Sequence, residues 1–361
     1  MLITELKIEN FRCYEFAEIP INSGITLIYG KNGSGKSSII EGIYFGLSGK
    51  SFRTTDLNTL IRQEKGLTQT FISFNDASAV KITKKINKKC KILHVKDKKL
   101  LNYAQLVSAY PTCLIENKEF FFTTSTPEEK RAFLNKILFY VEQSASSALK
   151  ELKKVIYQRA ACLKNRDKSQ ISFWNDKLVQ MEPEITKFNT DIVSNINEMI
   201  QASEIKDHFV SKNPWIEQLS LKYMAGYDTN YKFSDVLDQN LEKDLILKRT
   251  TEGPHKRSFS LFLNNHLAHD LLSRGQQKVA SIILHLMQRE LIKKKTDTNP
   301  ILLMDDISSE LDKDNANLML KYLINKSVQT VMTSIEKKRF KNEKDVFMFH
   351  VEQKGDMSNV R

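Results

Sequence analysis

The most constraining feature of this chain is the run Gly30-Lys31-Asn32-Gly33-Ser34-Gly35-Lys36-Ser37, which fits G-x-x-x-x-G-K-[ST] and joins two unlike segments. Ahead of it Ile25–Tyr29 is short and mostly apolar, as a buried strand is. Behind it, Ser37–Leu47 puts Ile39, Ile40, Ile43 and Leu47 on one face of a helix. A strand that turns through glycines into a helix N-terminus offers backbone N–H groups and partial positive charge to an anion. In such a loop Lys36 is expected to reach the β- and γ-phosphates of ATP, and the Ser37 hydroxyl to sit on Mg²⁺. Seven of the twelve glycines fall between Gly24 and Gly49, where tight turns and close backbone approach are needed, and none falls between Gly66 and Gly226.

Two further segments gain meaning beside that loop. Ile301-Leu-Leu-Met304 is apolar and ends in Asp305 and Asp306. A buried strand that delivers carboxylates at its C-terminal end supplies a Mg²⁺ site, so Asp305 is read as the metal-linked acid and Asp306 as a general base for water. Leu272-Ser273-Arg274-Gly275-Gln276-Gln277 lies 24 residues ahead of Ile301, counted from Gln277. It resembles the L-S-G-G-Q signature of ABC ATPases, which implies that Ser273, Gly275 and Gln276 meet the γ-phosphate held by an opposite subunit. Arg274 replaces the first glycine of that signature. The plainer reading is a capped helix start. Ser309-Glu-Leu-Asp312 follows the acids at the spacing of the ABC D-loop. After Gln329-Thr-Val-Met, where a transporter ATPase carries a switch His, this chain has Thr333-Ser334. The missing His, and Asp rather than Glu at 306, argue for slow hydrolysis that serves as a switch.

The rest of the chain frames these segments. Leu2–Ile8 alternates as a strand, with Leu2, Thr4, Leu6 and Ile8 on one face and Ile3, Glu5, Lys7 and Glu9 on the other. Residues 68–100 read as a β-meander. Thr126-Pro-Glu-Glu129 opens a helical region by a hydroxyl cap, Pro at the first position and a Glu three residues on. Two long helices joined near Met181–Pro183 would form an antiparallel hairpin. Strand texture returns after Trp215, so an α/β head with a largely parallel sheet core is interrupted by a helical arm. The expected organisation is 1–125 for the N-terminal part of the head, 126–215 for the arm, and 216–361 for the C-terminal part.

Charge points to a polyanion. The formal net charge is +12 and the pI near 9.3. The meander carries nine lysines between Lys81 and Lys99 against one acid, Asp97. Lys81, Lys84, Lys85, Lys88, Lys89 and Lys91 are candidate contacts to DNA phosphates, and the alternative is a solvated strand face. Cys13, Cys90, Cys113 and Cys162 form no metal-ligand spacing, and no run suits a signal peptide or membrane helix, so a reduced, cytoplasmic protein is expected.

Several blocks together resemble the RecF family of bacterial recombination mediators from end to end. They are Ile8-Glu-Asn-Phe-Arg12, the loop Gly30–Ser37 followed by Glu41-Gly-Ile-Tyr44, Gly49-Lys-Ser-Phe-Arg53, Pro127-Glu-Glu-Lys-Arg-Ala-Phe-Leu134, Glu252-Gly-Pro-His-Lys256, the signature, and Asp305–Asp312. The resemblance implies an α/β, ABC-type (SMC-like) P-loop ATPase head with an inserted α-helical hairpin arm. It places Arg12 near the nucleotide phosphates. It also implies an ATP-dependent homodimer, binding to double-stranded and gapped DNA, slow hydrolysis for release, and RecR and RecO as partners in loading RecA. Lys130 and Asn135 depart from the family's usual Arg and Asp. Asn117-Lys118 replaces its P-E pair, leaving Glu116 or Glu119 as the substitute. His255 is either a DNA or nucleotide contact or a turn residue at the return of the arm. A transporter subunit would carry the switch His and a two-glycine signature, a fused nuclease would need a second acidic site, and a degenerate scaffold would lack the intact Lys36, Ser37, Asp305 and Asp306.

Overall fold

In this computed structural model the described residues are 1–116, 126–306, 311–335, 345–354 and 357–360. The chain forms two compact units, Met1–Lys118 with Ile292–Arg361, and Glu119–Leu291. The chain order begins with β1 (Ile3–Phe11), β2 (Tyr14–Pro20), β3 (Ile25–Tyr29), α1 (Lys36–Ser48), β4 (Leu67–Phe74), β5 (Ala79–Lys85), β6 (Lys91–His94), β7 (Lys99–Leu100), α2 (Tyr103–Ala109) and β8 (Thr112–Ile115). It continues with α3 (Pro127–Val141), α4 (Ala145–Asn165), α5 (Lys168–Gln201), α6 (Glu204–Val210), β9 (Leu219–Met224), α7 (Phe233–Gln239), α8 (Leu241–Leu247), β10 (Ser258–Leu263), β11 (His266–Leu267), α9 (Ala268–Leu271) and α10 (Arg274–Thr296). It closes with β12 (Ile301–Met304), α11 (Lys313–Asn325), β13 (Thr330–Ser334), β14 (Val346–Lys354) and β15 (Met357–Val360).

The first unit holds two six-stranded sheets. One is antiparallel, in the order β2-β1-β4-β5-β6-β7. The other runs β15-β14-β3-β13-β12-β8 and is parallel from β14 to β8, as strands fed by helical crossovers should be. Its central strands read as continuous apolar runs because both faces are covered: Ile301–Met304 is buried at every position. Helix α1 packs its Ile39, Ile40, Ile43 and Leu47 into a cluster with Leu6, Ile8, Ile72 and Ile82 of the antiparallel sheet and Ile28, Leu303 and Val331 of the parallel one. Each such side chain, fully buried, stabilises by roughly 1.5–3 kcal/mol relative to exposure.

Simple alternation fails at the start of β1. Ile3 is buried with Leu6 and Ile8, while Thr4 is exposed. A register shift between Ile3 and Glu5 in the pairing with β4 inserts one residue and turns Ile3 inward.

The second unit contains the hairpin of α4 and α5, but its turn is at Arg166–Asp167, not near Met181–Pro183. Arg166 takes the left-handed conformation that closes α4 (φ 55°), and the Asp167 carboxylate caps α5 through the Gln170 N–H. Pro183 lies inside α5, where Leu178 and Ile185 on either side are anchored against Leu152 and Val155 of α4. The second helical run ends at Gln201, and Ser203 caps the separate α6. Across the hairpin, fully buried Arg159 donates to Asn175 Oδ1 (2.7 Å), Asp244 Oδ2 (2.6 Å) and Thr250 Oγ1 (2.9 Å), fixing α8 to the arm.

The capping box expected at Thr126 and Glu129 opens α3. Two separate sequence blocks meet beneath it. Arg131 Nη1 donates to the Arg257 carbonyl (3.2 Å), Arg257 Nη2 donates to Asn135 Oδ1, and the Phe133 ring lies against Phe259 and His285. His255 Nε2 faces the Thr250 carbonyl at 3.1 Å, so its ring is tied into this turn. Among the described residues no helix is long and apolar enough to cross a membrane.

Candidate nucleotide site

The phosphate loop joins β3 to α1, and its path depends on glycine at two points. A Cβ on Gly30 would stand 2.3 Å from the Val351 carbonyl oxygen. Gly35, at φ 102°, caps α1 in a conformation that side chains disfavour. Tyr14 of β2 supports the loop by donating from its hydroxyl to the Gly35 carbonyl (3.2 Å). Lys31 and Asn32 are exposed at the rim, and buried Ser34 keeps its Oγ without a hydrogen-bond partner. The Lys36 ammonium donates to the carbonyls of Gly30 and Lys31, both at 2.8 Å. Burial pulls its pKa below the ordinary lysine value, and the negative charges of Asp306 and Asp305 oppose that shift.

The acids arrive from β12 as expected. Ser37 Oγ donates to Asp305 Oδ1 at 2.8 Å, although 268 positions separate them in sequence. Thr333 Oγ1, on the adjacent parallel strand β13, donates to the same oxygen at 2.8 Å and accepts from the Asp306 N–H at 2.7 Å. Asp306 adopts φ 47°, in the left-handed region that Asp enters more readily than most side chains, and lines the pocket. Among the described residues no group of three or more His, Cys, Asp or Glu gathers to hold a metal. One hydroxyl and one carboxylate side by side are the protein share of a Mg²⁺ site completed by phosphate oxygens and water, so Ser37 and Asp305 fit that ion.

A pocket of about 600 Å³ within the first unit is lined by Asn32, Gly33, Gly35, Lys36, Ser37 and Asp306, and also by Arg12, Arg53 and Gln63. This volume suits a nucleotide-sized ligand. Arg12 therefore lines the same pocket as the loop, in keeping with what the family resemblance implies. Its guanidinium is gripped by Glu41, a fully buried carboxylate on α1 that sequence reading noted only as part of a block. An acid between Ile40 and Ile43, on the apolar side of a helix, was the available signal, because a buried charge demands a partner. Thr333 entered the sequence reading only as the absence of a His.

Ser273, Gly275 and Gln276 belong to the second unit, at the start of α10. Exposed Ser273 and half-buried Gln276 cap each other, with the Ser273 N–H donating to Gln276 Oε1 (2.9 Å) and the Gln276 N–H to Ser273 Oγ (3.4 Å). Gln277 Nε2 donates to the Leu272 carbonyl. Residues 117–119 and 309–310 lie outside the described residues, so Asn117, Lys118 and the alternative stand-in Glu119 are not placed, nor are Ser309 and Glu310 of the D-loop stretch.

The lysine run divides. Lys85, Lys88, Lys89 and Lys91 are exposed around the β5–β6 turn, and Lys81 is half-buried on the outer face. Lys84 is removed from the candidate DNA contacts. It points inward with Val80 and Ile82, is buried, and donates to Asn58 Oδ1 and the carbonyls of Lys85 and Lys88, each at 2.8 Å.

A phosphate loop on a parallel sheet, paired acids at the C-terminal end of β12 and a flanking antiparallel sheet define an SMC-type ATPase head. A profile of the RecF/RecN/SMC N terminal domain matches residues 2–358, and the chain belongs to the RecF family within that class. It is 30% identical over 359 residues to the DNA replication and repair protein RecF of Shewanella woodyi, covering 98% of this chain and 97% of the relative. It is 30% identical over 364 residues to that of Pseudoalteromonas translucida, covering 97% and 98%. Among solved structures, the recombination mediator protein RecF-ATPrS in the RecFOR pathway superposes with TM-score 0.81 at 20% identity, covering 99% of this chain and 97% of that one. An Smc head bound to the C-winged helix domain of ScpA gives 0.57 at 16% identity, covering 100% and 98%. Both superpositions speak to the fold.

Proposed function

We propose that this chain is an ATP-dependent DNA-binding recombination mediator. The observation that carries the reading is the convergence of Ser37, Asp305 and Thr333, from three distant segments, beside the Lys36 loop, an arrangement that supports a Mg²⁺·ATP site. Lys36 and the loop N–H groups hold the β- and γ-phosphates, Ser37 and Asp305 hold Mg²⁺, and Asp306 orients the attacking water. Mg²⁺ supplies neutralisation of charge on the transferred phosphoryl group. Ser273, Gly275 and Gln276 meet the γ-phosphate of a second copy, so ATP drives a head-to-tail homodimer. Asp306 in place of Glu makes hydrolysis slow, and hydrolysis opens the clamp. Residues 126–215 form the arm.

The dimer binds duplex DNA near single-strand gaps through sequence-independent phosphate contacts that include Lys81, Lys85, Lys88, Lys89 and Lys91. The net charge of +12 and the exposure of the β5–β6 turn support this part. RecR and RecO are the proposed partners in loading RecA, in keeping with the RecFOR pathway named for the related RecF structure. Light scattering with and without ATP tests the core of the reading. Wild type should double in mass with ATP, while Lys36→Met and Ser273→Arg stay monomeric. ATP binding without any change of mass, with or without DNA, would exclude the clamp.

A further inference from the structure

The pocket beside the phosphate loop contains two arginines whose side chains share one carboxylate. Arg12 Nε donates to Glu41 Oε2 at 2.9 Å and Arg12 Nη2 donates to Glu41 Oε1 at 2.7 Å, a parallel two-bond fork. Arg12 Nη1 donates to the Thr59 carbonyl at 2.9 Å. Arg53 Nη1 reaches Glu41 Oε2 at 3.5 Å, and Ser51 Oγ donates to Glu41 Oε1. Glu41 is fully buried on α1, one turn beyond Lys36 and Ser37, whereas the Arg12 side chain keeps 20% exposure and Arg53 keeps 47%.

We infer that Glu41 is a positioning residue for the nucleotide site, setting the Arg12 guanidinium toward the polyphosphate and tethering the Gly49–Arg53 segment beside it. The inference rests on the nucleotide reading of this pocket. A carboxylate buried without exposure is costly unless its cations are held in good geometry, and the fork supplies that geometry. The fork consumes one edge of the guanidinium and Thr59 consumes one further N–H, which leaves the remaining N–H groups of Arg12 on the pocket wall. The backbone is committed too. Arg12 holds φ 52°, and its N–H donates to the Leu60 carbonyl at 2.8 Å. Side chain and main chain therefore present Arg12 in one orientation before any ligand arrives, which lowers the ordering cost of binding. Because Glu41 and the loop's Lys36 sit on the same rigid helix, the distance from Arg12 to the phosphates is set by α1 itself.

The test measures ATP binding by calorimetry for wild type, Glu41→Gln, Arg12→Ala and the double variant, with circular dichroism melts as a control on folding. Gln cannot accept both bonds of the fork. Glu41→Gln should weaken ATP binding about tenfold, and the double variant should lose no more than Arg12→Ala alone, because Glu41 acts through Arg12. Equal ATP affinity in folded Glu41→Gln and wild type, or losses that add in the double variant, would overturn the inference. Should Glu41→Gln fail to fold, Arg12→Lys carries the test. It keeps the charge but not the fork, and unchanged affinity there is equally fatal. Wild type that binds no ATP while remaining folded overturns the nucleotide reading itself, an outcome separate from the others.

Discussion

Thr333 Oγ1 donates to Asp305 Oδ1 at 2.8 Å and accepts from the Asp306 N–H at 2.7 Å, so one hydroxyl fixes both acids of the site. Thr333→Val keeps the shape and removes both bonds, at a cost of roughly 1–3 kcal/mol in stability. Groups that orient a metal ligand are worth about 10- to 100-fold in metal affinity or activity. The Mg²⁺ concentration for half-maximal ATP turnover should therefore rise by about tenfold or more in the variant. In EDTA, which removes the metal from both, ATP binding by variant and wild type should become equal. A Mg²⁺ titration that superimposes on wild type would show that Thr333 does not orient Asp305.

Arg257 is buried, and burial pulls its pKa down to about 10, with Arg131 lowering it further and Tyr223 opposing. Its Nη2 donates to the neutral amide oxygen of Asn135. Asn135→Asp would convert this into a charge-assisted bond, and Asn135 is only half-buried, so the new carboxylate loses little hydration. The variant should be more stable by roughly 1 kcal/mol, a rise in Tm of about 2–4 °C. An unchanged or lower Tm would mean that desolvation cancels the gain.

The nucleotide site was legible where the signal was local. Glycines flanked by a strand and a helix mark Gly30–Ser37, and four apolar residues ahead of two acids mark β12. Thr333 was not legible, because its role depends on the parallel register in which Met304 faces Met332 and Asp305 comes level with Thr333. No local pattern encodes that pairing. Glu41 and Lys84 are a middle case: each is buried on the apolar face of its own element, a signal in the periodicity that the reading of Lys84 as a DNA contact passed over. The hairpin turn was misplaced because Pro183 is the conspicuous helix breaker, whereas the real turn uses Arg166 in a conformation usually left to Gly or Asn. Packing of Leu178 and Ile185 overrides the local preference at Pro183.

Acid should loosen the second unit. Burial holds His255 down to about 4, helped by repulsion from Lys256, Arg131 and Arg159 and opposed by the Thr250 carbonyl. Burial likewise holds His285 at about 4, with the Ser281 carbonyl opposing. An unfolded histidine takes up its proton near 6.5, so between about 6.5 and about 4 the unfolded chain binds more protons. Stability is therefore full above that window, falls as pH drops through it, and levels off below. Each histidine contributes up to about 3 kcal/mol over the whole window and about 2 kcal/mol by pH ~5. Denaturant melts at pH ~7 and ~5 should show this loss in wild type, and His255→Asn should lose less. Parallel pH dependence in both proteins would remove His255 from the account.

The exposed and buried lysines of one hairpin allow a direct separation of DNA contact from fold. Lys88 and Lys91 stand in solvent at the β5–β6 turn, whereas the Lys84 ammonium is committed to Asn58 and two carbonyls. Each lysine that neutralises a phosphate releases counterion and adds about 0.9 to the slope of log affinity against log salt. Reversal of Lys88 and Lys91 to Glu should weaken duplex DNA binding at low salt and flatten that slope by about 2, with the melting temperature nearly unchanged. Lys84→Met should do the opposite. It takes the ammonium away from the Lys88 carbonyl, and from Asn58 Oδ1 and the Lys85 carbonyl, which keep the N–H groups of Asn87 and Lys88, at a cost of roughly 1–3 kcal/mol, while the folded fraction binds DNA with the wild-type slope. A wild-type salt slope in the Lys88 and Lys91 double reversal would take this face out of the DNA interface, and a flattened slope in Lys84→Met would mean that the turn's shape, not only its charge, is read by the duplex.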